Sequence, residues 1–413
     1  MALAFGSFLA MIPLGAEAGD LLTLPQAVAL TLEHSPALSA SAFDDVAATL
    51  RRRGAWAAYL PVLSAESGYG RSYGYDEAVT NGGDTHAIVK LETILFDAGA
   101  GLARGAEAKA KLGSARSDER SRRAEVAFAA TEAYLGILTA KRERELQAEV
   151  AAELESYAAL VDRLELGGGA PAGSALRARV ALEGPKTALR SADADLSALA
   201  TTLSVFTGRG VTAVDVVDPG EIAPPEITAE KIDTSPSVAT AQAAVGAAEA
   251  QVQVIEAERW GKITFSADAG ALGVNPEETF QHDRGGEFAF GGRVPLFDAA
   301  ARTELAAKRA EASSARARLA DARQRASIEM AQLQAAAAKA KSDLEAARLA
   351  KPLADQSFLV LRARSLGGGD VRTIEVIDAV TQRTEAHLRI VRAELAYRLA
   401  LAAQARALGE AFP

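Results

Sequence analysis

The sequence predicts a mainly α-helical chain with four β-strands, built by duplicating one half. Three observations carry that expectation. Landmarks recur in the same order about 200 residues apart: Ser35-Pro36 with Ser235-Pro236, Leu95-Phe96-Asp97-Ala98 with Leu296-Phe297-Asp298-Ala299, and Gly167-Gly168-Gly169 with Gly367-Gly368-Gly369. Such a fixed internal period marks a repeat architecture, whose units bury surface against each other rather than alone. Each half also holds two strand-like stretches followed by a long helical one, and the first long stretch, 98–166, contains no proline.

In order along the chain, residues 2–14 form a short apolar run, followed by Ala16-Glu17-Ala18 with the small-x-small pattern of a signal-peptidase site. Residues 1–18 therefore read as a secretory signal peptide, with mature protein beginning near Gly19. The run lacks a positively charged start, which leaves open a start upstream of Met1, and an apolar N-terminal helix is the other reading. No other stretch reaches about 18 uninterrupted apolar residues, so no transmembrane helix is expected.

The first repeat covers 19–207. Leu24-Pro25 opens an apolar pattern that runs to Leu32, and Ser35-Pro36 then reads as an N-cap with proline at the first helical position. Strands are expected at about 62–76 and 86–96. In the second of these, Val89, Leu91 and Leu95 alternate with Lys90 and Glu92, which places the two sets on opposite faces. A long helix follows, in which Leu146, Val150, Leu154, Tyr157, Val161 and Leu164 are spaced by fours and threes. A turn is expected near 167–173. Beyond it Leu182, Leu189, Leu196 and Leu203 keep heptad spacing, as in a coiled-coil seam.

A linker with Pro219, Pro224 and Pro225 spans 208–233. The second repeat, 234–413, reads the same way. Its strands are expected at about 262–273, where Ile263, Phe265, Ala267 and Ala269 oppose Lys262, Thr264, Ser266 and Asp268, and at 286–296. Gly/Asn/Asp-rich loops, 76–84 and 275–286, join the strands of each pair. The second hairpin turn falls near 367–371. Gly184-Pro185 and Pro352 are expected to kink or break their helices.

Composition narrows the function. The chain has 413 residues, 49% apolar but only 5% aromatic, which favours helices in close contact over a bulky core. Its net charge of −9 argues against a nucleic-acid partner. The tight basic run Arg51-Arg52-Arg53 reads as a solvated helix face. With no cysteine there are no disulfides, thiolate metal sites or lipidated N-terminal Cys. His34, His86, His282 and His387 lie far apart and in no metal-ligand spacing, and the Gly triplets lack the Lys-Ser/Thr of a phosphate loop. No catalytic constellation emerges, no cofactor is implied, and the chain is not expected to be an enzyme.

Four amphipathic strands suit a barrel wall but are too few to close one, and an open sheet edge in lipid would leave backbone groups unsatisfied. Either the strands form a soluble sheet or several chains contribute to one barrel. Here the residues carry a resemblance. Leu24-Pro25-Gln26-Ala27-Val28 leading to His34-Ser35-Pro36-Ala37-Leu38, Tyr59-Leu60-Pro61, Ile94-Leu95-Phe96-Asp97, Ala133-Tyr134-Leu135 and Arg372-Thr373-Ile374-Glu375-Val376-Ile377-Asp378-Ala379 together resemble the TolC-like outer-membrane efflux proteins over essentially the whole mature length. The resemblance implies a homotrimer that combines a shared 12-stranded barrel in outer-membrane lipid with a long helical coiled-coil barrel in the periplasm. It also implies an equatorial region formed by the linker and chain ends. Its partners would be a periplasmic adaptor and an inner-membrane pump of the ABC, RND or MFS type, and its work the export of drugs, metals or proteins, including type I secretion. A soluble periplasmic coiled-coil scaffold or adaptor without channel activity is the alternative; it leaves the paired strands and the duplication unexplained.

The resemblance places the gate at the periplasmic helical tip. Glu375 and Asp378, three apart and so on one helix face, match the acidic constriction, with a solvated helix face as the plain alternative, and Arg372 matches the gate arginine. Ser174 stands where that arginine's acidic partner is expected, a departure that leaves Asp162 or Asp370 as other partners. Gly167, Gly168, Gly169, Gly367, Gly368 and Gly369 mark the tips expected to meet the adaptor, with ordinary Gly-rich turns as the plain alternative. The resemblance leans toward the secretion and multidrug branches and assigns no cargo.

Overall fold

A computed structural model of the chain describes residues 21–70, 84–212, 215–274, 281–366 and 372–412. The signal-like segment 1–18, most of the two inter-strand loops, the second Gly triplet and Asp370 lie outside the described residues. The described chain runs α1 (Leu24–His34), α2 (Pro36–Ala57), β1 (Val62–Gly70), β2 (Asp84–Phe96), α3 (Ala100–Leu166), α4 (Ser174–Thr207), α5 (Ala229–Asp233), α6 (Pro236–Glu258), β3 (Lys262–Val274), β4 (Gln281–Arg293), α7 (Ala299–Leu366) and α8 (Thr373–Ala407). It is mainly helical with four antiparallel strands, as the sequence indicates. The 67 residues of α3 correspond to about 100 Å of helix.

Two readings are corrected. Of the kink or break expected at Pro185 and Pro352, the break does not occur: both lie inside the continuous α4 and α7. A mid-helix proline costs on the order of 3 kcal/mol, and tertiary packing along a helix of 34 or 68 residues outweighs it. The last strand starts at Gln281 rather than 286 and stops at Arg293 rather than 296. Its polar first residues look like loop but pair in full, Val274 with Gln281 and Gly273 with His282, while Pro295 lies just past its end.

The chain divides into two compact units, each drawing on both repeats. One comprises Met1–Pro36, Arg122–Ile227 and Glu329–Pro413. Its core packs Leu24, Ala27 and Val28 of α1 against Ala127, Ala130, Tyr134, Leu135 and Ile137 of α3 and against Leu196 and Leu203 of α4. Three of the four seam leucines, Leu182, Leu196 and Leu203, are buried; Leu189 is half-buried. Alanines at the contact let helix backbones approach closely. Gln26 begins α1 by accepting from the Thr23 N–H at 2.9 Å. Tyr134, fully buried, puts its hydroxyl 2.7 Å from the carbonyls of both Leu22 and Val217, two segments joined by the parallel bridge of Leu22 with Val216. The linker is thus fastened to α3 by this phenol and by Arg142, which pairs with Asp218.

The other unit comprises Ala37–Ser121 and Thr228–Ile328. Its helical part buries Val238 and Val245 of α6 against Leu319 and Ala326 of α7. The rest is a sheet of order β1-β2-β3-β4, all antiparallel. The central pairing joins the two repeats, from Asp84 with Val274 to Phe96 with Ile263, with one irregularity between Ile94 and Phe96. Proline 36 and Pro236 open α2 and α6, but the Ser235 side chain makes no cap bond to its helix.

The repeated Leu-Phe-Asp-Ala is a strand-to-helix turn in both halves. Asp97 accepts from the Gly99 and Gly101 N–H groups at 3.1 and 2.7 Å and starts α3. Asp298 accepts from the Ala301 N–H at 2.9 Å and starts α7.

Candidate functional site

Two regions carry candidate functional residues: the sheet, and the described hairpin turn with the nearby start of α8. The sheet's register sorts its residues into two unlike faces. One face holds Leu63, Ala65 and Tyr69 of β1, Ala87, Val89 and Leu91 of β2, Ile263, Phe265, Ala267 and Ala269 of β3, and Phe288 and Phe290 of β4, with Arg284 as its one charge among the described residues. Phe265 and Phe290, directly opposite, pack with ring centroids 5.1 Å apart and planes tilted by 48°. The other face holds Glu66, Lys90, Glu92, Asp268, Asp283, Glu287 and Arg293, with Val62, Ile88 and Leu272 and small and hydroxyl residues between them. Most of the large apolar side chains are exposed, including Leu63, Tyr69, Phe288 and Phe290. Among the described residues, both outer strands, β1 and β4, leave one edge without a partner strand.

The turn between α3 and α4 is built by glycine. Gly168 takes φ 76°, Gly169 N–H bonds the Leu164 carbonyl at 2.7 Å, and Gly168 N–H bonds that of Glu165 at 3.2 Å. These two bonds form a Schellman motif, and the left-handed residue in it favours glycine. The left-handed φ accounts for glycine at position 168. The Glu165 carboxylate then turns forward and accepts from the N–H groups of Gly173 and Ala175, at 2.7 and 3.0 Å, capping α4. Those two bonds, the Gly173 one first, hold its carboxyl below the usual carboxylate range. The sequence reading missed Glu165, because its partners lie eight and ten residues onward across a turn.

Ser174, buried, begins α4. No hydrogen bond joins it to Arg372, whose guanidinium lies 2.8 Å from Glu375 on its own helix. Asp162 pairs with Arg179 of α4 at 3.1 Å, inside the same hairpin. Asp378 is exposed and has no ion pair among the described residues. Gly367, Gly368 and Gly369 lie outside the described residues. Around the described turn, Leu164, Leu166, Leu176 and Val180 are exposed.

About three turns along α8 from Arg372 lies a cluster that no local pattern announces. Arg383 bonds Glu153 of α3 at 2.9 Å and Asp355 of α7 at 3.2 Å. Glu153 also holds Arg362 of α7 at 3.0 Å, and His387 Nε2 lies 2.8 Å from Asp355. Arg383 stacks on Phe358 with its guanidinium carbon 4.8 Å from the ring centroid. Beneath, Phe358 packs with Val150, Leu154, Leu182, Ala379 and Val380. Partial burial pushes the Asp355 carboxyl up, but bonds and charge from His387 and Arg383 outweigh it and leave it below the usual range. One arginine thus ties three helices together. Networks of this kind are worth more than isolated surface pairs.

No protein-family model matches this sequence, and no curated protein does. Solved structures match over nearly the whole chain. A membrane protein from Pseudomonas aeruginosa superposes with TM-score 0.81 at 21% identity, covering 94% of this chain and 90% of that one. The outer membrane protein VceC from Vibrio cholerae gives TM-score 0.79 at 18% identity, covering 94% and 97%. The open-state MtrE outer membrane channel of Neisseria gonorrhoeae gives 0.78 at 17%, covering 94% and 89%. Long helices and a four-stranded antiparallel sheet, matched by these proteins over 94% of the chain, give it the fold of the TolC-like outer-membrane channels.

Proposed function

We propose that this chain is the subunit of a homotrimeric outer-membrane channel-tunnel that exports small molecules, metals or proteins. The observation that carries the proposal is the sheet: one face mainly apolar and exposed, the other holding most of the charges, with two edges unpaired among the described residues. In lipid an unpaired edge is untenable, so the sheet must close through copies of itself, apolar face outward and charged face toward water. No described helix is long and apolar enough to cross a membrane. The helices extend the path into the periplasm. The fold shared with outer-membrane channels supports this reading.

At the periplasmic end, Glu375 and Asp378 on one face of α8 would form a ring of carboxylates when repeated by symmetry. That field favours cations and binds multivalent ones. With Ser174 in place of an acid and Arg372 paired within its own helix, we assign the closing contact to Arg383 with Glu153 and Asp355. The exposed leucines beside Gly167–Gly169 suit an adaptor that would engage the tip and open it, working with an inner-membrane pump.

Single-channel conductance in planar bilayers tests the proposal, with wild type compared to the Glu375→Ala/Asp378→Ala variant. Cation-selective channels are expected from the wild type, and divalent block and selectivity should fall in the variant. Channels indifferent to the variant would remove the constriction assignment. Well-folded protein without channels would favour a soluble scaffold.

A further inference from the structure

We propose that the junction between α6, β3 and the start of α7 is a binding cleft for the phosphate headgroup of an anionic phospholipid. The duplication supplies the contrast. In the first repeat the matching space is plugged: the Tyr59 ring lies over Gly101, and its hydroxyl donates to Asp97 at 2.9 Å. In the second repeat, aligned on the two Leu-Phe-Asp-Ala motifs, Arg302 replaces Gly101. Aligned on the strand starts, Arg259 replaces Tyr59 and Trp260 replaces Leu60. The space is then an open cleft of about 560 Å³, lined by Arg259, Trp260, Pro295, Leu296, Asp298 and Arg302.

Charge accounting inside the cleft points to an anion. Glu256 is held by Arg309 at 2.7 Å and Glu258 by Arg104 at 2.5 Å. Glu304 faces Lys308 at 3.9 Å, and Asp298 is engaged by the Ala301 N–H. Of the four carboxylates lining the cleft, Glu256, Glu258 and Glu304 each face a cation, and Asp298 has only the backbone N–H. Arg259 and Arg302 have none: among the described residues neither makes an ion pair, and Arg302 only stacks over Phe297 at 5.5 Å. Two guanidiniums against the single carboxylate of Asp298 leave the cleft short of negative charge, which a phosphate would supply.

Apolar surface beside them points to a lipid rather than a soluble anion. Leu296 is 95% exposed, and Trp260 and Phe297 are each 76% exposed. They sit where the sheet's apolar strands end and the polar helices begin, the level at which aromatic side chains border a bilayer. The occupant fits both halves of the surface: a phosphodiester on the arginines and acyl chains along Trp260, Leu296 and Phe297. This inference rests on the membrane reading of the sheet.

The test reads binding without a bilayer, so the two readings can fail separately. The purified full chain is released from detergent micelles doped with phosphatidylglycerol or phosphatidylcholine, and retained lipid is counted by native mass spectrometry. Wild type should retain phosphatidylglycerol at least about fivefold over phosphatidylcholine, and Arg259→Gln/Arg302→Gln should remove that preference. Arg318→Gln, an exposed arginine elsewhere on α7, should keep it. Equal retention by the double variant, or no preference in the wild type, overturns the proposal. So does glycerophosphate retained as well as the lipid, which would assign the cleft to a soluble anion. Loss of channel activity with the lipid preference intact would instead count against the membrane reading.

Discussion

The two strand-to-helix turns share four residues and differ in almost everything around them. Asp97 is 7% exposed and takes three hydrogen bonds, from Gly99, Gly101 and the Tyr59 hydroxyl. Asp298 is exposed and accepts from the Ala301 N–H. Ahead of α3 the backbone is strained, with Ala98 at φ 54° and Gly99 at φ 91°; Ala299 shows no positive φ. What the repeats hold in common is a backbone task, starting a long helix after a strand. What they vary is the surroundings, and there the second repeat is free to take another role.

Removing the two aspartates should separate the turns most sharply. Asp97→Ala removes a helix cap and leaves a half-buried phenol without its acceptor, an expected loss of about 3 kcal/mol. Asp298→Ala removes a single exposed cap bond, about 1 kcal/mol. Hydrogen exchange under mild urea, read at residues 99–103 and 300–304, measures both. Equal losses would mean that burial of Asp97 contributes nothing.

A smaller effect is expected at Gly101. A Cβ there would collide with the Tyr59 ring, so Gly101→Ala should cost about 2 kcal/mol as an overpacked contact. Arg302→Ala at the matching position should change stability by no more than about 0.5 kcal/mol. Chemical denaturation of each variant decides it, and parity between them would show that the plug is not tightly packed.

The smallest effect separates the turns by pH. Burial, then the hydrogen bond and charge of Asp97, raise the Tyr59 phenol above its ordinary value of 10.0. A group whose folded value is raised contributes stability fully present below its unfolded value and lost as pH rises through the folded one. The first turn should therefore loosen above about pH 10 and the second should not. Tyr59→Phe should abolish that alkaline difference in exchange rate.

Legibility in the sequence followed the range of the interaction. Local signals were readable: the alternation at Val89–Glu92 and Ile263–Ala269 gave the sheet's two faces, and Leu182, Leu196 and Leu203 gave the packed side of α4. The Gly167–Gly169 run marked a turn in which the left-handed φ of Gly168 calls for glycine. Proline at 185 and 352 misled, because a local penalty is outweighed when a helix is held along its length. The ends of β4 misled because pairing, not composition, sets where a strand begins. Least readable were the contacts joining distant segments. Nothing near Glu153 or Arg383 announces that they meet. Tyr134 belonged to a recognised motif, yet its hydroxyl's grip on Leu22 and Val217 appears only once the chain is folded.

The central pairing of the sheet also sets an order of events. Strand β2 finds its second neighbour, β3, only after the whole first hairpin and the linker have emerged, since Asp84 waits for Val274. Contacts so distant in sequence form slowly, and an edge left open meanwhile is a template for wrong pairing. The first hairpin, by contrast, closes through near neighbours and can fold early. A chain made in this order spends its youth with half a sheet, and a helper that shields β1 and β2 would matter most before the second repeat is complete.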